Sequence, residues 1–117
     1  MSDNFCVFCK IIDRTIPSTI ILESDSIIVI KDIAPKAPIH NLVIPKKHIP
    51  DMVTFSHDDL PLISSMALAV QELGKSIAHD YGFNIIVNNG AAAGQLIFHL
   101  HWHFLAGKNL YSGGFSL

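Results

Sequence analysis

The stretch 98–104, Phe-His-Leu-His-Trp-His-Phe, constrains the fold more than any other part of this chain. Histidine and a bulky apolar residue alternate there without a break. Side chains of an extended strand point to opposite faces in turn, so a period of two reads as a β-strand, expected here from Ile97 to Leu105. Phe98, Leu100, Trp102 and Phe104 then face a helix or a partner subunit. His99, His101 and His103 face the other way, with neighbouring imidazoles roughly 6.5–7 Å apart from the strand rise. A fold that houses this strand must bury one of its faces and find a use, or solvent, for the other.

The remaining sequence supplies the cover. Leu62/Ile63, Met66, Ala69/Val70, Leu73 and Ile77 recur at three or four, the pattern of one amphipathic helix. Pro61 suits its first turn, Asp58 or Asp59 rather than Ser56 its N-cap, and Gly82 its stop. Thr19 to Glu23 and Ile27 to Asp32 are β-branched runs that read as a hairpin through Ser24-Asp25. Ala34 to Pro38 is a rigid loop, because its two prolines forbid a central strand. Asn41 to Ile44 is a strand ended by Pro45, Phe83 to Asn88 is another, and Gly90 to Gln95 is a flexible small-residue loop. Phe5 to Ile12 reads as a short N-terminal helix closed by Asp13 and Pro17. The expected class is α+β: about five mostly antiparallel strands with the long helix on one face. Residues 1–117 show no linker or repeat and read as a single domain, and an apolar fraction of 50% builds its core without disulfides.

Composition excludes several functions. A net charge of −2, with Lys46-Lys47-His48 as the one basic cluster, gives no electrostatic case for nucleic acid. No 18-residue apolar run exists to span a membrane. The N-terminus lacks the basic region and cleavage site of a secretory signal, so a cytoplasmic, reducing compartment is the default. Cys6 and Cys9 are then thiols or metal ligands rather than a disulfide.

The imidazole face admits three readings: a solvated surface, a three-histidine zinc site, or phosphoryl chemistry. Ligands along one strand face lie in a line, whereas a tetrahedral ion needs them to converge. A neutral imidazole is a competent nucleophile towards phosphorus, and its neighbour can donate to a phosphate oxygen. The loop 90–95 offers backbone N–H groups with no side chains in the way. Cys6-Val7-Phe8-Cys9 is a C-x-x-C, readable as two ordinary thiols or as half of a four-ligand zinc site. A redox pair would need a strand before it, and none is expected.

Taken together, these motifs resemble the histidine-triad (HIT) family of nucleotide-binding proteins. FHLHWHFLAG fits the triad pattern of histidines separated by apolar residues. The segment Lys31 to Ile49, with its PKKHI, and the pair Val87-Asn88-Asn89-Gly90 and Gly94-Gln95 are similar to the family's other motifs in order and spacing. The resemblance runs from Phe5 to Gly107 and is greatest to the small HINT-like branch.

The resemblance implies that His101 attacks the α-phosphate of a nucleotide and becomes transiently nucleotidylated. His103 would contact the phosphate, His40 would support that cluster, and His99 completes the triad. Asp32 would bind the ribose hydroxyls, accepting two hydrogen bonds. Ile33 would lie near sugar and base. Phe8, Ile11, Ile30 and Leu42 would sandwich the purine, although ordinary core packing explains them equally. Asn88, Gly94 and Gln95 would contact the phosphate and leaving group. Leu96 stands where the best-known HINT proteins carry a serine; losing that donor costs on the order of 1–3 kcal/mol in a transition state. Ile39 likewise replaces a small or hydroxyl residue. The family's C-x-x-C branches imply a structural zinc on Cys6, Cys9, His48 and His99, with no catalytic metal. His57 and His79 are expected on the solvated surface.

The implied activity is cleavage at the α-phosphate of a purine nucleoside phosphoramidate or related conjugate. Dinucleoside polyphosphate hydrolysis and regulatory nucleotide binding with weak catalysis are the alternatives. A homodimer with one continuous sheet is expected.

Overall fold

The computed structural model describes residues 5–78 and 82–117. Its elements in chain order are α1 (Val7–Ile12), β1 (Ile20–Glu23), β2 (Ile27–Lys31), β3 (Ile39–Pro45), α2 (Leu60–Ser76), β4 (Phe83–Ile86) and β5 (Trp102–Ala106). Short 3-10 turns cover His57–Asp59, Ala91–Ala93 and Leu110–Gly113. The five strands form one antiparallel sheet in the order β1-β2-β3-β5-β4. The expected α+β class, with five strands, one long helix and a short N-terminal helix, is the observed one.

Both faces of the sheet are covered, which explains the apolar runs 27–30 in β2 and 42–45 in β3. Ile27, Val29, Val43, Phe104 and Ala106 point to one side and pack with Met66 and Leu73 of α2. Ile28, Ile30, Leu42 and Ile44 point to the other and pack with Phe8, Cys9 and Ile11 of α1. Period two therefore sorts each strand between two helices rather than between core and water.

Register then fixes the floor of the site. Ile30 pairs with Leu42, Leu42 with His103, and His103 with Ile86. Directly opposed residues share a face, so these four form one row from β2 across to β4 on the α1 side. His40 pairs with Leu105 in the next row.

Several expected boundaries differ, and β3 opens at Ile39 rather than Asn41 and includes Pro45. The histidine segment enters the sheet only at Trp102, not at Ile97, so His99 and His101 lie in the chain leading into β5. The ladder cannot continue past Val43: Pro45 has no N–H, and its carbonyl accepts from the His99 ring (Nε2, 2.7 Å) instead of a backbone amide. Leu100 N–H donates to the Ile49 carbonyl (2.6 Å). The long helix ends at Ser76, before Gly82, with Ile77 N–H bonded to Leu73 O. β4 stops at Ile86, two residues short of Asn88, where its pairing with β5 ends. Asp59 is the N-cap of α2, preceded by a 3-10 turn that Ser56 opens. The Asp59 carboxylate is buried and faces back, accepting from Ser56 N–H (3.1 Å) and Lys47 Nζ (2.7 Å). No helix among the described residues is long and apolar enough to cross a membrane.

Candidate active site and metal cluster

A cavity of about 710 Å³ lies over the α1 side of the sheet, within the range of small-molecule sites. Phe8 and Ile11 of α1 wall it, with Ile30 and Leu42 beneath them. Asp32 and Ile33 stand at that end, His40, His101 and His103 in the middle, and Ile86, Asn88, Gly94 and Leu96 on the far side. Sequence reading missed Ile86, Leu105 and Leu110, which also line it. Ile86 is found only from strand register, Leu105 shares the histidine face by period two, and Leu110 follows β5 with no periodic signal.

Two expected residues sit elsewhere. Gln95 is buried outside the cavity lining. Its Oε1 accepts from Gly90 N–H (2.8 Å), and its Nε2 donates to the carbonyls of Pro50 (2.8 Å) and Ile97 (3.0 Å). It braces the loop, which Gly90 and Gly94 can turn at φ 90° and 93° because they lack a Cβ. His99 is fully buried beside the cysteines and takes no part in the cavity wall. His57 is exposed as expected, while His79 lies outside the described residues.

Hydrogen bonds fix which nitrogen of each histidine carries the proton. The Lys36 backbone N–H donates to His40 Nδ1 (3.0 Å), so neutral His40 keeps its proton on Nε2. That Nε2–H faces His103 Nδ1 at 2.9 Å and Asp32 Oδ2 at 3.3 Å. His103 Nδ1 accepts it, and the His103 proton therefore sits on Nε2. His101 Nδ1 donates to the His99 carbonyl (2.8 Å), which leaves its Nε2 with a free lone pair. Burial, the largest cause, lowers the pKa of His40 and His101 and brings that of His103 to about 4, where neighbouring His101 and His40 add to the effect. All three are neutral at pH 7. The result is one nucleophilic nitrogen and one N–H donor with ring centroids 5.1 Å apart.

A second cluster lies behind α1. Cys6 Sγ is 3.2 Å from His99 Nδ1, Cys9 Sγ is 3.4 Å from His48 Nδ1 and 3.6 Å from His99 Nδ1, and the two Nδ1 atoms are 3.2 Å apart. A tetrahedral ion with sulfur at 2.3 Å and nitrogen near 2.05 Å would set separations of about 3.3 Å between nitrogens, 3.6 Å between nitrogen and sulfur and 3.8 Å between sulfurs. The nitrogen–nitrogen and nitrogen–sulfur distances above lie close to these, and all four atoms fall within 4.8 Å of one another. His99 Nε2–H, held on the Pro45 carbonyl, turns the Nδ1 lone pair towards them, as metal-binding imidazoles are commonly held by their other nitrogen. Both thiols are free, and burial raises Cys6 to a pKa of about 11, so a bare cluster is costly to ionise and a cation compensates it. Asp32, His40 and His103 also converge. There, however, the Lys36 N–H keeps the proton on His40 Nε2, so that group is a hydrogen-bond chain.

Three imidazoles, His40, His101 and His103, facing one cavity, with a Cys₂His₂ cluster behind the short helix, define a histidine-triad domain. A family profile described as "Scavenger mRNA decapping enzyme C-term binding" matches residues 5–114. A HIT-like protein from Synechocystis is 39% identical over 102 residues, covering 87% of this chain and 90% of that one. The solved HIT family hydrolase from Clostridium thermocellum superposes with a TM-score of 0.88 at 41% identity, over 93% of this chain and 96% of that chain. A histidine triad nucleotide-binding protein from Candida albicans superposes with a TM-score of 0.77 at 34% identity, over 85% and 72%. The chain belongs to the HIT family.

Proposed function

We propose that this chain binds a purine nucleotide and hydrolyses the bond between its α-phosphate and an amine or related leaving group. The observation that carries the reading is the opposite protonation of two neighbouring imidazoles: His101 offers a lone pair and His103 an N–H, each fixed through the backbone. The solved relatives named as a HIT family hydrolase and as a nucleotide-binding protein support it. The purine enters the apolar slot of Phe8, Ile11, Ile30 and Leu42, with Asp32 taking the ribose hydroxyls and Ile33 beside the sugar at the rim.

His101 Nε2 attacks phosphorus in line. As the Nε2–P bond forms, the P–N bond breaks, and its electron pair stays on the leaving nitrogen, which takes a proton from water at the open side. His103 Nε2–H, with Asn88 and the Gly94 loop, stabilises the charge on the phosphate oxygens. Water then adds to phosphorus, the Nε2–P bond breaks, and the water proton returns to solvent. His40 keeps His103 in its donating tautomer. Zinc suits the Cys6, Cys9, His48 and His99 cluster by ligand type; when bound it holds α1 and the His99 segment together. The thiol ligands suit a reducing, cytoplasmic location. We also propose a homodimer formed through β4, an outer strand whose Phe83, Ile85 and Ile86 are exposed.

The test is turnover of adenosine phosphoramidate by wild type and His101→Ala, with AMP binding measured on both. The variant is expected to lose turnover and the trappable nucleotidyl adduct while still binding AMP. Wild-type kcat in the variant would overturn the mechanism.

A further inference from the structure

We infer that the far side of the cavity selects an uncharged, apolar leaving group, and that Leu96 is its specificity-determining residue. This rests on the hydrolase reading above and names the substrate class within it.

The floor row runs Ile30, Leu42, His103, Ile86. With the nucleoside over Ile30 and Leu42 and the phosphate over His103, the departing group projects towards Ile86 and the loop bearing Asn88, Gly94 and Leu96. Charge is unevenly placed along this line. The cations among the cavity residues, Lys31 and Lys36, lie by Asp32 and His40, where Lys36 also acts on His103, and Lys36 Nζ is bonded to the Ala34 carbonyl (2.7 Å). The far side has no cation among the described residues lining it. A polyphosphate tail would bring added negative charge there with no partner, whereas an alkyl or aryl group needs none.

Leu96 is positioned for that group. It is 88% exposed yet borders the cavity. Its exposure is imposed by its neighbours: the Gln95 side chain is anchored inward by three hydrogen bonds, and Ile97 packs against the α1 cluster. The residue between them must turn outward. A leucine held in water at the edge of a reaction site gains when a substrate substituent covers it.

The experiment compares kcat/KM for three substrates: the adenosine phosphoramidates of 3-methylbutylamine and of 2-methoxyethylamine, similar in size, and diadenosine tetraphosphate. Wild type is expected to favour the branched alkyl substrate about tenfold over the ether, the effect of covering one or two methyl groups. It should disfavour the tetraphosphate further. Leu96→Ser is expected to bring the alkyl-to-ether ratio within about twofold, and Leu96→Lys to raise the tetraphosphate relative to both. Equal wild-type rates, a ratio unmoved in Leu96→Ser, or the tetraphosphate as best substrate would overturn the inference and leave the hydrolase reading standing. An unmoved ratio is also the result expected if a second copy of the chain covers Leu96. Failure to turn over any of the three would overturn both.

Discussion

At the scale of single residues, the site is governed by backbone atoms acting on rings. Three main-chain groups, the Lys36 N–H and the carbonyls of His99 and Pro45, decide which nitrogen of four histidines is protonated. The cost is that these rings must stay neutral. His103, faced by His101, His40, Asp32 and Lys36, has its pKa lowered from about 6.5 to about 4 chiefly by burial. Below pH 6.5 the unfolded chain takes up a proton that the folded chain refuses, so stability falls as pH drops from 6.5 towards 4 and is flat above. Thermal melts across that window should show a shallower pH slope in His103→Gln than in wild type. An identical slope would mean that His103 is not held neutral by the fold. The alternation of 98–104 already placed these rings on one face, opposite Leu100, Trp102 and Phe104. Their protonation was not legible, because it depends on atoms that every residue type carries equally.

At the scale of elements, α1 joins two sites. It has six residues, far below the length at which a helix is stable alone. Cys6 and Cys9, three apart, turn towards the His48–His99 cluster, while Phe8 and Ile11 wall the cavity and Phe8 meets the His101 ring edge-on at a centroid distance of 5.0 Å. His99, the fourth member of the cluster, supplies the carbonyl that holds His101. Removing a bound metal should therefore loosen the Phe8–Ile11 wall and the proposed nucleophile, His101, together. Chelation is expected to weaken AMP binding about tenfold, within the usual range of coupling between sites, and AMP should tighten metal affinity by the same factor. Calorimetry with and without chelator, and metal affinity by chelator competition with and without AMP, check both directions; independence in either would show that α1 stands without the ion. The C-x-x-C spacing and the family resemblance made the Cys–His cluster legible. The sharing of α1 between cluster and cavity needed the fold, since period-two sorting in β2 and β3 looks the same whichever helix covers each face.

At the scale of the molecule, the sheet is asymmetric at its edges. β1 ends in Glu23, which pairs with Lys46 (2.8 Å) and with Arg14, the kind of charged border that discourages strand addition. β4 has no such protection: its sequence is Phe-Asn-Ile-Ile, with Ile85 opposite Phe104 on the α2 face and Ile86 opposite His103 on the cavity face. Leu68 of α2 is exposed as well. Pairing β4 with its own copy would satisfy the outer backbone groups and cover apolar surface that a solitary strand edge leaves wet. The proposed homodimer should elute at twice the 12.9 kDa chain mass, and Ile85→Lys should dissociate it by burying a charge at the pairing edge. Because Ile86 closes the row that holds His103, fraying of β4 reaches the His103 ring. The Ile85→Lys monomer is therefore expected to lose kcat/KM as well as mass, and wild type should lose specific activity on dilution through its dissociation range. A wild-type monomer by light scattering, or a monomeric variant with unchanged kcat/KM, would separate the reaction site from the edge strand.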